Sequence, residues 1–221
     1  MIYCVELFSG NADITKRLNQ LPNVKCKSVD YNADFKPDIC IDVFDIRDLA
    51  HLAQLCGFPR IDFVWASPDC TSYSLASHGI HRKAGGIAVS DYAKLSDKLN
   101  YHLWNDILNN SIYYIVENPR AHYAKMSFCK YTKKITIYYS QYGMNVPKPT
   151  DLMSNDLNLG CFFDTRKPPK MGVTCGSTIG LGGVSGFLNR CKMPERLIDD
   201  IAKYVSSLPT IERKKCSCSV A

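Results

Sequence analysis

Six short apolar runs, separated by segments of helical spacing, limit what this chain can fold into. Tyr3-Cys-Val-Glu-Leu-Phe8, residues 24–29, Asp38-Ile-Cys-Ile41, Ile61-Asp-Phe-Val-Trp-Ala66, Ile112-Tyr-Tyr-Ile-Val116 and Ile135-Thr-Ile-Tyr-Tyr139 are of strand length and rich in β-branched or aromatic residues. Between them, Ile14, Leu18 and Leu21 recur at helical spacing. Residues 46–55 also have helical spacing, and Leu95, Leu99, Leu103 and Ile107 step through residues 92–109. Leu197, Ile201 and Val205 mark a last helix over residues 194–208, with Pro194 in its first turn. Strands alternating with helices predict an α/β fold, a mostly parallel, doubly wound sheet covered on both faces. One domain is expected over residues 1–211. It includes a loop-rich stretch at about 155–189, marked by Lys167-Pro-Pro169 and Gly180-Leu-Gly-Gly183, and is followed by a flexible tail over 212–221.

Where these runs end matters more than where they begin, because open α/β sheets bind ligands at the carboxyl edge. The run ending at Ala66 is stopped by Ser67-Pro68, since proline lacks a backbone N–H. Cys70 follows at once, a thiol placed to attack a bound substrate if its surroundings make it a thiolate. Asp30 and Asp42 close the second and third runs, and Glu117-Asn118-Pro119 closes the fifth. Taken singly, such acids read as caps or turn residues. Beside the Phe8-Ser9-Gly10 turn they favour an adenosine-type site, with Asp30 accepting from ribose hydroxyls and Asp42 from an exocyclic amine. Glu117 follows four apolar residues. A carboxyl partly removed from water keeps its proton and can donate to a ring nitrogen.

Composition narrows the setting. Of 221 residues, 46% are hydrophobic and 22% charged, which is the balance of a folded domain. No run approaches the roughly 20 apolar residues that span a bilayer, and the start Met1-Ile-Tyr-Cys-Val-Glu6 lacks the basic opening of a signal peptide. An intracellular protein is expected. Eleven cysteines without paired spacing read as reduced, mostly buried thiols. Cys216-Ser-Cys218 lacks a partner pair for zinc, so no metal site is assigned. A net charge of +6 permits a phosphate-bearing partner without requiring one.

In order along the chain, these residues resemble the DNA cytosine-5 methyltransferases. Glu6-Leu-Phe-Ser-Gly10 is similar to that family's first cofactor motif, Val29-Asp-Tyr31 to the second and Ile41-Asp-Val43 to the third. Ser67-Pro-Asp-Cys70-Thr-Ser-Tyr-Ser74 resembles the catalytic Pro-Pro-Cys motif, and Val116-Glu-Asn-Pro119 the Glu-Asn motif. Gln141-Tyr-Gly143 with Lys148-Pro-Thr150 is similar to the segment before target recognition, particularly in short phage-encoded members. The match covers about residues 3–155. It implies a Rossmann-like class I S-adenosylmethionine-dependent fold, with Cys70 as nucleophile, Glu117 at the base and Asn118 holding that loop. It also implies S-adenosylmethionine bound by Phe8, Ser9, Gly10, Asp30, Tyr31, Asp42, Val43 and Pro68. The implied partner is DNA, with RNA not excluded, met by His81, Arg82, Lys83, Lys148, Arg166 and Lys167. The residue 74–90 loop, which also carries His78, would close over the base. A monomer is expected, in a host cytoplasm if the origin is viral.

The chain departs from the family pattern in four places. Asp69 stands where a proline precedes the cysteine, and an adjacent carboxylate opposes a thiolate unless it points away or meets a cation. Lys148 and Thr150 stand where Gln and Arg residues are usual, and Asn11-Ala-Asp13 where glycines are common. The 155–189 stretch is short for target recognition, which implies relaxed or very short specificity, or a helper protein. A non-catalytic binding module of the same fold stays open. An amino-methyltransferase is disfavoured, since it needs an aromatic residue at position 70.

Overall fold

A computed structural model describes residues 1–77, 79–169 and 192–209. Seven strands form one sheet: β1 (Ile2–Leu7), β2 (Val24–Asp30), β3 (Ile39–Cys40), β4 (Phe63–Ala66), β5 (Tyr113–Pro119), β6 (Lys133–Tyr138) and β7 (Pro149–Ser154). Their spatial order is β3-β2-β1-β4-β5-β7-β6. Strands β1 to β5 pair in parallel, while β7 runs antiparallel to both β5 and β6. The chain winds outward from β1 to β3, returns to β4 and winds out the other way. The carboxyl ends of β1 and β4 therefore flank the switch point, where such sheets open a crevice.

The helices are α1 (Asp13–Leu18), α2 (Leu49–Cys56), α3 (Asp91–His102) and α4 (Glu195–Ser207). The two-residue period of the strands divides the core. Cys4, Phe63, Trp65 and Ile115 pack with Ile14 and Leu18 of α1 and Leu197, Ile201 and Val205 of α4. Val5, Leu7, Val64, Ala66 and Val116 pack on the other side with Leu52 of α2 and with Leu103, Trp104 and Ile107. Both faces are covered, as the alternation requires. No helix among the described residues is long and apolar enough to cross a membrane.

All six expected strands are present. The seventh, β7, has only Leu152 and Met153 as strong apolar residues, yet it is buried from Thr150 to Ser154 because it lies between β5 and β6. Its polar groups find partners inside the sheet: Asp151 accepts the Thr136 hydroxyl at 2.7 Å, and Ser154 donates to the Tyr114 carbonyl at 2.6 Å. The helix expected over 92–109 also differs. α3 ends at His102, and the chain continues through a π-helical turn, Leu103–Ile107, and a tighter turn, Leu108–Asn110. The wider turn rotates the buried face, so Leu95 is 56% exposed while Ala93, Asn100, Leu103 and Trp104 are buried. Most of the 155–189 stretch, and the 212–221 tail, lie outside the described residues.

The entry into α1 is built from a distance. Ala12, at its N-terminus, caps nothing with its side chain. Glu6 of β1 does that work, accepting the Thr15 N–H at 2.7 Å and the Thr15 hydroxyl at 2.6 Å. Burial pushes the Glu6 carboxyl up to about 7 from its ordinary 4.5, against the pull of the Thr15 bonds. Between those values the folded chain keeps a proton that the unfolded chain releases. The stability contribution is therefore whole below 4.5 and is lost as pH rises through 7. Urea denaturation between about pH 5 and about pH 8 is expected to show a decline of up to about 3 kcal/mol that Glu6→Gln removes.

Candidate active site

Strands β4 and β5 pair in register from Phe63↔Tyr113 to Ala66↔Val116, so the segments that follow leave the sheet side by side. The Asn118 side-chain amide donates to the Pro68 carbonyl at 2.9 Å inside the protein, tying the end of β5 to the turn that carries Cys70. Glu117 is buried at that junction. Tyr139, just beyond β6, donates to Glu117 Oε1 at 3.3 Å, and Lys148 Nζ lies 4.2 Å from the centre of the Tyr139 ring. Tyr139, a residue with no motif to mark it, thus meets both Glu117 and Lys148. Burial pushes the Glu117 carboxyl up, while the Lys148 charge and the Tyr139 bond pull it back. Burial, with the Glu117 carboxyl as its hydrogen-bond acceptor, drives the Tyr139 hydroxyl far above its ordinary range, so it stays a donor.

Asp69 turns into its own turn. Its carboxylate accepts the Thr71 N–H at 3.1 Å, the Thr71 hydroxyl at 2.7 Å and the hydroxyl of Tyr92. Burial, then Asp69, push Tyr92 up to about 12, which keeps that hydroxyl donating. The carboxylate beside Cys70 in sequence is a cap for the Thr71–Tyr73 turn in space.

The candidate cofactor residues line the carboxyl edge of β1 and β2 and the turn after β3. Phe8, Gly10 and Ala12 all have positive φ, at 57°, 47° and 54°. A Cβ added at Gly10 would meet nothing within 4 Å, so the space beside it is open. Asp30 accepts the Gly10 N–H and the Asn32 N–H, both at 2.9 Å, which fixes this backbone. Asp42 accepts the Phe44 N–H at 2.9 Å and is exposed, so it is at least the cap of its turn. Tyr31 and Phe44 present exposed rings, while Val43 and Pro68 are buried. The Ser9 hydroxyl is buried with no partner among the described residues. An open glycine turn, an orphaned hydroxyl, two strand-end carboxylates and exposed rings fit an adenosine-bearing cofactor such as S-adenosylmethionine.

One expected nucleic-acid contact is corrected. Arg82 has no exposed surface: Nε donates to the Ser72 carbonyl at 2.9 Å, Nη1 to Gly86 O at 2.9 Å, and Nη2 to Asp97 Oδ1 at 2.6 Å. Its guanidinium lies 4.1 Å from the centre of the Tyr73 ring. The Tyr73 hydroxyl also reaches Asp97, and Asn100 and Tyr123 continue the chain of bonds to Trp104. Arg82 therefore clamps the loop after Cys70 onto α3 and cannot meet a phosphate. The other candidates are differently placed. His81 bonds Ser90 at 2.8 Å and packs against Tyr92. Lys83 and Lys167 are exposed, and exposed Arg166 is held by Asp164 at 2.6 Å. His78 lies outside the described residues.

No family model matches the sequence, and no curated protein matches it. Among solved structures, the chain is similar to the Entamoeba histolytica methyltransferase EhMeth, at 17% identity and a TM-score of 0.48 over 79% of this chain and 56% of that one. It is similar to a prophage-encoded protein (E. coli) described as a DNA modification methyltransferase, at 14% and 0.48, covering 79% of this chain and 53% of the other. S. pombe Dnmt2 methyltransferase gives 13% and 0.48 over 78% and 58%. The chain spans little more than half the length of each. Strand order, the single reversed strand and helices on both faces are present in the molecule itself. The fold is a Rossmann-like, doubly wound α/β sheet with one reversed strand.

Removing one partner of a buried ion pair leaves the other charge without a counterion. Arg82→Met is expected to lower stability by about 3–5 kcal/mol in chemical denaturation. Lys83→Met, in the same loop but exposed, is expected to change it by less than about 0.5 kcal/mol.

Proposed function

We propose that this protein transfers a methyl group from S-adenosylmethionine to C5 of cytosine in DNA, through a covalent bond between Cys70 and C6. The observation behind this reading is the Asn118–Pro68 bond, which ties the turn that carries Cys70 to the strand end that carries Glu117, a carboxyl pushed up by burial. Cytosine C5 is a poor nucleophile. Addition of the Cys70 thiolate at C6 makes C5 enamine-like, and the Glu117 proton held against N3 takes up the charge that develops in the ring. Bound by Phe8, Ser9, Gly10, Asp30, Tyr31, Asp42, Val43 and Pro68, S-adenosylmethionine supplies an electrophilic methyl group. Tyr139 and Lys148 hold Glu117 in place, and Asn118 keeps the two strand ends together.

A base in duplex DNA must leave the stack to enter such an edge site. His81, Lys83, Lys148, Arg166 and Lys167 are the side chains assigned to phosphates, and phosphate contacts carry no sequence information. Specificity is accordingly short or relaxed, or supplied by a helper protein. Asp69, the residue that most favoured a non-catalytic role, is engaged by Thr71 and Tyr92 instead of facing the thiol.

The test is a covalent trap. The protein is mixed with S-adenosylmethionine and DNA containing 5-fluorocytosine, where fluorine blocks the final loss from C5, and the mixture is run on a denaturing gel. A shifted band that Cys70→Ala abolishes is expected, with Glu117→Gln slowing its formation by about a hundredfold or more. A band on fluorinated RNA but not DNA moves the substrate to RNA. No band on either sinks the catalytic reading.

A further inference from the structure

The turn that carries Asp42 and Val43 is held by a ring almost sixty residues away in sequence. His102, the last residue of α3, places Nε2 at 2.8 Å from the Ile46 carbonyl and 3.1 Å from the Val43 carbonyl. Its Nδ1 lies 2.6 Å from Asp106 Oδ2, on the π-helical turn that follows. All three partners are acceptors, two carbonyls and a carboxylate. A neutral imidazole carries one N–H and can satisfy only one side; the imidazolium satisfies both. The Phe44 ring stacks against His102, with centroids 6.1 Å apart and planes 17° apart.

The charged groups around this ring are few. Asp106 is the carboxylate on its own segment, and its ion-pair partner among the described residues is His102. From the turn, Asp42 is directed at the Phe44 N–H, Asp45 and Arg47 are exposed, and His51 of α2 accepts the Arg47 N–H through Nδ1 at 3.2 Å. The π-helical turn thus has a use: it ends α3 at a histidine whose far nitrogen reaches the cofactor side of the sheet.

We infer that His102 is a positioning residue of the candidate cofactor site, holding the Val43 turn as an imidazolium and coupling cofactor affinity to pH. The inference rests on the reading above in which the Asp42-Val43 turn contacts the cofactor. When the ring loses its proton, either Asp106 or the two carbonyls lose their donor. The turn then loosens, and the cofactor has to order it again on binding.

Two measurements on the full chain test this. Calorimetric titration with S-adenosylmethionine at about pH 6 and about pH 8.5 is expected to show affinity falling about three- to tenfold at the higher pH. His102→Gln, which cannot carry the charge, is expected to bind weakly and equally at both. Hydrogen exchange without ligand reads the brace alone, through the Asp45 and Ile46 amides that bond within the turn to Asp42 and Val43. Their protection, corrected for intrinsic rates, is expected to drop with pH in the native chain and to be low and flat in His102→Gln. Asp106→Asn, a surface change that leaves the ring in place, is expected to shrink both pH effects and serves if His102→Gln does not fold. Wild-type affinity in His102→Gln at pH 6, or an undiminished pH effect in either variant, overturns the proposal. Absence of any binding by the native chain overturns the cofactor reading and the coupling with it, while the exchange data still decide whether the ring braces the turn.

Discussion

The parallel pairing of β4 with β5 is the constraint on which the candidate site depends. Two parallel neighbours run to the same edge, so the turn after Ala66 and the end of β5, where Glu117 and Asn118 pair with β7, lie together whatever their distance in sequence. The Asn118–Pro68 bond joins residues fifty apart and is buried, so it is made in low dielectric where an unpaired amide would be expensive. With it, the turn that carries Cys70 and the strand end that carries Glu117 share one scaffold, and Tyr139 reaches Glu117 from the far end of β6.

Three buried ionisable groups show how this fold treats charge. Arg82 is wholly buried, and five hydrogen bonds and the Tyr73 ring replace the water around it. Glu6 is buried with donors from Thr15 and from the Ile14 N–H, which do not offset that burial, and its value climbs. Glu117 is buried with one long hydrogen bond and one nearby cation, and it too is pushed up. The contrast separates a clamp from a proton holder: full satisfaction fixes a loop, and partial satisfaction leaves a carboxyl that keeps its proton. It also means that the loop after Cys70 is anchored through Arg82 to α3, where the sequence suggested a lid free to close.

Much of this was legible in the sequence because strand ends announce themselves. Ser67-Pro68 halts β4 where a proline must, and the acids after Val29, Ile41 and Val116 stand at carboxyl ends because apolar runs stop when polar residues begin. β7 was not legible, since a strand inserted between two others is buried by its neighbours and needs no apolar pattern of its own. Arg82 was misplaced for a related reason. A charged residue in a glycine-containing loop looks solvated until its partners, Asp97 on α3 and the Ser72 and Gly86 carbonyls, are brought together by the fold. Tyr139 and His102 belong to the same class: each acts through a contact across the sheet edge, and no local spacing encodes such a contact.

The remaining question at Cys70 is charge, because a thiolate is disfavoured by negative neighbours. Asp69 stands next to it in sequence, and its carboxylate is taken up by the Thr71 N–H and hydroxyl and by Tyr92, while Glu117 is brought to the same sheet edge by folding. Glu117 is dealt with differently, through burial that favours its neutral form. In the proposed reaction an uncharged Glu117 donates to a base nitrogen and adds no negative charge at this edge. Lys148 works against burial at Glu117. A more exposed Glu117 would ionise and lose both advantages together. The tightness of the packing around β5 and Tyr139 is therefore part of the chemistry of this edge as well as of its stability.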